Sequence, residues 1–356
     1  MRSDMKRTLL ALLALTAFSA SAQTPDLSTL KAYAAKALPL CSGSVITLEQ
    51  MSQRGPAGFI PYGLTQTSTD ETCGRKTFFL YSPTSRQVLI GSVFPLPADA
   101  RPATDRIAEV VLEALKKPVH VTVAPFPLPD GLRAVDMARD TPHGPFSYHG
   151  FLDAQQAWMI VGFRGNLMTD PSQSLLDSIN MSAAVRRGNP KAKVKIIELS
   201  DFECPTCARA HKKVEPIIAK NLSKIDYYRL DLPLFEHHEW AMDAALGARA
   251  ISRVAPSKYW SYVDFVFNNQ ESIVNARQPF TTVLKNFSED HDIPWPAVEK
   301  VVKSSAERTA LLEQVSRSFD VGVNSTPTYI VNGRVLGFGP EGTYTIEQIK
   351  KAIGVK

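Results

Sequence analysis

Val194-Lys195-Ile196-Ile197-Glu198-Leu199-Ser200-Asp201-Phe202-Glu203-Cys204-Pro205-Thr206-Cys207 decides the fold of this chain. The run Val194 to Leu199 has the apolar content and length of a strand. Cys204-Pro205-Thr206-Cys207 follows where a helix is predicted to begin, and Pro205 suits the first helical turn, where a missing N–H costs nothing. Two cysteines at this spacing close a small disulfide. The unpaired N–H groups of a helix N-terminus favour a thiolate on the first sulfur. Cys204 is therefore the expected reactive thiol, and Cys207, one turn in, the buried resolving thiol. Much later, Thr326-Pro327 opens the strand-like run Thr328-Tyr329-Ile330-Val331, and a proline there suggests a cis bond beside the sulfurs. No second Cys-x-x-Cys is present to complete a zinc site, so the pattern favours an exchangeable disulfide.

Working outward, residues 1–22 read as an export signal. Arg2, Lys6 and Arg7 precede the apolar stretch Thr8 to Ala20, and Ala20-Ser21-Ala22 offers a small-x-small cleavage site. The stretch is too short to span a bilayer, and no later segment approaches the required ~20 apolar residues. A soluble periplasmic or secreted protein is expected. The chain carries 40 basic against 35 acidic side chains, a net of +5, and removing Arg2, Asp4, Lys6 and Arg7 with the leader lowers it further. Such a balance leaves no basic footprint for a nucleic-acid partner. The 4 cysteines of an exported chain fall into two pairs. With Cys204–Cys207 as one, Cys41 and Cys73 are left for a structural disulfide, worth on the order of 3–4 kcal/mol through restriction of the unfolded chain.

The expected organisation has two folded parts. Residues 23–182 alternate short strands and helices and read as a smaller α+β domain of unreadable role. Leu27 to Leu38 and Thr104 to Lys117 are amphipathic. Lys76 to Tyr81 with Gln87 to Val93, then Val119 to Val123, Phe146 to Leu152 and Ala157 to Arg164, read as strands. Phe-Pro-Leu-Pro recurs at 94–97 and 126–129, a hint of related hairpins. The polar segment 183–193 reads as a linker. Residues 194–356 then give strand, helix, strand, a long helical region over about 239–319, two strands and a helix. This is an α/β order, a thioredoxin-like fold with helices inserted in its middle.

On these residues, the second part resembles the DsbA-like branch of the thioredoxin superfamily. Gly188 through Cys207, the inserted helical region and Ser325-Thr326-Pro327-Thr328-Tyr329-Ile330-Val331-Asn332-Gly333 carry the resemblance, which covers about half the chain. It implies a thiol–disulfide oxidoreductase working through Cys204 and Cys207, with no cofactor and no metal. It places Thr326 and Pro327, with Pro205 and Thr206, at the surface that receives an extended client strand. It also makes Glu198, set among Ile196, Ile197 and Leu199, a buried acid with a raised pKa that relays a proton to the inner cysteine. Thr206 stands where the best-known oxidases of the family have a histidine, which argues for a less extreme oxidant. The implied partners are exported proteins with cysteines, plus a membrane redox partner: a quinone-linked oxidase or an electron donor.

Three functions stay open at this point. One is a dithiol oxidase, toward which the long helical insertion leans. The second is a disulfide isomerase or reductase, since family isomerases carry an added dimerisation domain, so a homodimer is possible. The third is a chaperone or binding protein with an inert Cys204–Cys207 bond. Other signals carry less. Gly337-Phe338-Gly339-Pro340-Glu341-Gly342 fits a dinucleotide fingerprint by letter, but the chain ends too soon for the strand and acid that must follow. His237-His238-Glu239 reads as the start of a helix rather than a metal site. Glu203 carries a charge that opposes the thiolate, or simply faces water. His211 is placed on an exposed helix face, and Tyr259 to Phe267 reads as helix core.

Overall fold

The computed structural model describes residues 25–39, 43–52, 54–68, 74–337 and 342–355. The expected leader, the Cys41–Cys73 pair and most of the glycine-rich run at 337–342 lie outside the described residues.

The first part consists of helix α1 (Leu27–Ala37), strands β1 (Val45–Gln50), β2 (Ile60–Thr67), β3 (Arg75–Tyr81) and β4 (Gln87–Pro95), then helix α2 (Ala103–Leu115) and strands β5 (His120–Val123), β6 (Arg133–Thr141), β7 (Gly144–Leu152) and β8 (Trp158–Asn166), closed by helix α3 (Pro171–Ser178). A helix and four strands thus occur twice in succession. Each set of four forms an antiparallel meander, and β4 pairs with β8 to join them into one 8-stranded sheet, ordered β1-β2-β3-β4-β8-β7-β6-β5. Gly91 and Gly162 are opposite one another at this join. A Cβ on Gly91 would lie 2.2 Å from the Val161 carbonyl oxygen, so the close approach of the halves requires glycine there. The two copies of Phe-Pro-Leu-Pro do not mark equivalent places: the first overlaps the end of β4, the last strand of its unit, and the second follows β5, the first strand of the other.

The second part begins earlier than the sequence suggests. Residues 185–188, inside the expected linker, form strand β9 (Val185–Gly188), which pairs antiparallel with β11. Its alternating burial and its two arginines belong to an edge strand, whose apolar signal is weak. Strand β10 (Val194–Ser200), helix α4 (Pro205–Lys220) and strand β11 (Ile225–Asp231) make a parallel β-α-β unit. The expected helical region resolves into α5 (Ala241–Val254), α6 (Tyr259–Asn268), α7 (Gln270–Ala276), α8 (Phe280–Asp290), α9 (Trp295–Val302) and α10 (Ser305–Asp320). Strands β12 (Thr328–Val331) and β13 (Arg334–Val335) and helix α11 (Thr343–Ile353) complete it. The sheet order is β13-β12-β10-β11-β9, which puts β10, the strand leading to the cysteines, at the centre.

Helix α5 is the hub of the insertion: every residue from Ala244 to Ile251 is buried. Its small side chains let neighbouring helices approach, and at Gly247 a Cβ would sit 2.6 Å from the Tyr262 hydroxyl. The aromatic run behaves as expected, with Tyr259, Tyr262, Val263, Val266 and Phe267 buried in α6. Helix α10 starts on a capped turn, Ser304 accepting from the Glu307 N–H. It then packs along β7. Ser316 Oγ donates to the Ser147 carbonyl at 2.7 Å, and Phe146 meets Phe235 and Phe319 edge-on. Ion pairs from Lys117 and Arg139 to Glu236 join the two parts at the same seam.

Candidate active site

Strand β10 ends at Ser200, and a three-residue turn delivers the chain to α4. Asp201 Oδ1 accepts the Glu203 N–H at 2.8 Å, and the Asp201 carbonyl accepts the Cys204 N–H at 3.3 Å. Cys204 is the N-cap residue of α4, with Pro205 at the first helical position. Helix α7 pins the turn from outside: Gln270 Nε2 donates to the carbonyls of Phe202 (2.5 Å) and Cys204 (3.1 Å).

The two sulfurs differ as the helix-start position requires. Both are free thiols in this structure, with Cys204 7% and Cys207 1% exposed. A hydrogen bond from the Cys207 thiol, helped by the N–H groups of Cys207 and Thr206 and opposed by burial, brings the Cys204 pKa down to about 5. Full burial, with the Cys204 sulfur beside it, pushes the Cys207 thiol well above the usual range.

Of the remaining expected residues, Thr326 reaches the first sulfur, and Pro205 and Thr206 open the helix beside it. The Thr326 carbonyl oxygen lies 3.6 Å from Cys204 Sγ, and the Thr326–Pro327 bond is cis. Pro205 is exposed on the rim, and the half-buried Thr206 accepts from Arg209 at 2.9 Å. Glu198 is buried, but not among apolar groups alone. The Tyr227 hydroxyl donates to it, and Arg229 and Tyr329 occupy the paired positions on β11 and β12.

Several features of the site lie beyond the sequence reading. Arg229 is fully buried, donating to Asp231 and to the Tyr259 hydroxyl, with its guanidinium 4.2 Å from the centre of the Phe202 ring. Glu203 is not a free loop carboxylate: its Oε2 accepts the Trp240 N–H at 2.6 Å at the start of α5, and burial raises its pKa. His211 is buried rather than exposed, 2.8 Å from Asp264 and packed on Phe267, because α6 covers that face of α4. His238 is tied to Asp201, not merely set at a helix start. A hollow of about 690 Å³ opens beside Glu203 and Trp240. A second, of about 630 Å³, runs between the two parts of the chain, lined in part by Arg75, Phe163, Phe235 and Asn324. Among the described residues, no helix is long and apolar enough to cross a membrane.

The family described as Thioredoxin matches residues 181–354. A curated relative, the Na(+)/H(+) antiporter NhaA 3 of Salinispora tropica, is 26% identical over 167 residues, covering 47% of this chain. That stretch is only 24% of the antiporter, so the chain spans about a quarter of the relative's length. Among solved structures, alpha-DsbA1 from Wolbachia pipientis is 20% identical with a TM-score of 0.44, the match covering 51% of this chain and 96% of that one. Oxidised BdbD from Bacillus subtilis is 17% identical with a TM-score of 0.41, over 49% and 93% of the two chains. Residues 181–354 match the Thioredoxin family and fold as a thioredoxin-like domain with helices inserted between β11 and β12.

Proposed function

We propose that this chain is a thiol–disulfide oxidoreductase that forms disulfides in exported proteins. The observation that carries the reading is the opposite treatment of two sulfurs one helical turn apart. Cys204 is held near pKa 5, while Cys207 is buried and held as a thiol. In the oxidised protein, a client thiolate attacks Cys204 Sγ, the Cys204–Cys207 bond breaks, and Cys207 leaves and takes up a proton. The client's second thiolate then attacks the client sulfur of the mixed disulfide, and Cys204 departs as a thiolate. Two electrons pass from the client to the protein, and the proton balance closes through Cys207 and solvent. A low pKa on the departing sulfur speeds that last step. It also sets the direction. A depressed thiol pKa stabilises the folded reduced form from about pH 5 upward towards the ordinary thiol range, and this contribution is lost as pH falls through 5. Stabilising the reduced form makes the disulfide an oxidant.

The Thr326 carbonyl beside Cys204 suits an extended client laid along Thr326 and Pro327, with Pro205 and Thr206 on the opposite rim. We assign Glu198 the proton relay to Cys207. Replacing it by glutamine is expected to slow exchange on the order of a hundredfold and to flatten its pH dependence. An unchanged pH profile would remove Glu198 from the mechanism.

The setting proposed is the periplasm, with a membrane quinone-linked partner restoring the disulfide. The additional sheet favours a second reading, an isomerase or reductase kept reduced by a membrane electron donor. In that reading the 8-stranded sheet serves to hold clients or a second copy of the chain. Mixing the oxidised protein with an equimolar reduced two-thiol peptide separates the readings. An oxidase yields nearly one peptide disulfide per protein. A reductase or isomerase leaves the peptide mostly reduced but opens or reshuffles disulfides when supplied as the dithiol. Activity in neither direction would leave only a redox-inert binding protein.

A further inference from the structure

Asp201 has no exposed side-chain surface. Besides the Glu203 N–H, its carboxylate accepts the Leu234 N–H at 2.7 Å and Nδ1 of His238 at 2.7 Å, both on Oδ2. Its backbone carbonyl accepts the Cys204 N–H. One buried carboxylate thus clamps the turn that carries Cys204 to the segment between β11 and α5. It also fixes the ring of His238. With Nδ1–H committed to Asp201, the other ring nitrogen is left to gain or lose the second proton. The His238 side chain is 20% exposed, sheltered enough for its charge to be felt and open enough to exchange protons.

We propose that His238, held by Asp201, is a positioning residue of the redox centre whose imidazolium stabilises the Cys204 thiolate. The inference rests on the redox reading above and names a residue that reading does not use. The groups acting on His238 agree with it. The Asp201 hydrogen bond raises its pKa above the ordinary histidine value, burial opposes this, and the charges of Asp201, Cys204 and Glu203 add to the rise. Charge interaction is mutual, so the cation that is favoured by the thiolate also favours the thiolate. Cys204 is brought down to about 5 while His238 is shifted upward from the ordinary histidine value, so the thiolate begins to form before the ring loses its proton. As pH rises through the pKa of His238 the ring becomes neutral and this support is withdrawn. The Cys207 thiol and the helix N–H groups act more strongly on Cys204 than His238 does, which bounds the effect.

The test is the ultraviolet absorbance of the thiolate, followed against pH in the full reduced protein. His238→Asn and His238→Gln remove the charge and leave Asp201 in place; His237→Asn is the control. Either folded His238 variant is expected to raise the Cys204 pKa by roughly half to one unit, a threefold to tenfold loss of thiolate at a given pH below 5. The same fold-change in the exchange equilibrium lowers the reduction potential by about 15–30 mV. The control is expected to move neither. Wild-type titration in both folded His238 variants would overturn the inference and leave the proposed function intact. A wild-type Cys204 that titrates as an ordinary thiol would overturn both.

Discussion

Serine at position 204 is expected to abolish thiol–disulfide exchange outright, whereas serine at 207 leaves a protein that captures its clients. The asymmetry follows from burial and ionisation. With Cys204 gone, the remaining sulfur is 1% exposed and held as a thiol well above the ordinary range, so it is neither reachable nor nucleophilic at neutral pH. With Cys207 gone, Cys204 keeps the N–H groups of the helix start and attacks a client disulfide, but no second sulfur resolves the product. Non-reducing electrophoresis of the two variants after exposure to disulfide-containing client proteins checks this. Mixed disulfides on Cys204 should build up in Cys207→Ser and be absent in Cys204→Ser. Exchange activity surviving in Cys204→Ser would contradict the assignment.

The largest expected effect on stability comes from Arg229, a cation with no access to water beneath the site. Its guanidinium faces the carboxylates of Asp231 and Glu198 and lies against Phe202. Arg229→Met keeps much of the volume but leaves buried acids without their cation, a change that costs about 3–5 kcal/mol. Denaturant unfolding of the reduced protein measures it. Burial already raises the pKa of Asp231, and Arg229 opposes that rise. In the variant the pKa therefore rises further. A carboxyl whose folded pKa is raised binds protons more readily folded than unfolded, so stability falls as pH rises. The deficit of the variant should thus be greatest near neutral pH and shrink in acid. Adding Asp231→Asn should recover part of it. A loss below about 1 kcal/mol would mean that the cluster is solvated or otherwise compensated.

The chemistry of the cysteines was legible because it is local. A strand, a turn and a helix start are contiguous in sequence, and Cys204 and Cys207 occupy the places that the pattern assigns. Thr326 and Pro327 were legible from a proline heading a strand. What escaped depends on distant segments meeting. Asp201 looks like a solvated turn residue until the chain after β11 folds back and lays His238 and the Leu234 N–H on it. His211 looks exposed on α4 until α6, from the insertion, brings Phe267 and Asp264 over it. Arg229 reads as an ordinary polar residue of a half-buried strand, yet its face of the sheet is covered by Phe202 and Tyr259. In the first part five of the eight described strands, β3, β4, β5, β7 and β8, were readable from the sequence, and β1, β2 and β6 were not. The strand order was not readable either, because the β4–β8 join is set by two glycines far apart in the chain rather than by any local period.

The proposed oxidase requires Cys204 and Cys207 to form an exchangeable pair in which the reduced state is favoured. The most direct measurement is an equilibrium titration of the full chain in glutathione buffers, with the Cys204 and Cys207 peptides read by alkylation and mass. A reversible two-electron transition more oxidising than the glutathione range, at roughly −120 to −160 mV, is the expected result. A transition near that of thioredoxin, about −250 mV or below, would contradict the oxidase and favour the isomerase or reductase. Absence of any reversible transition would contradict the redox account as a whole.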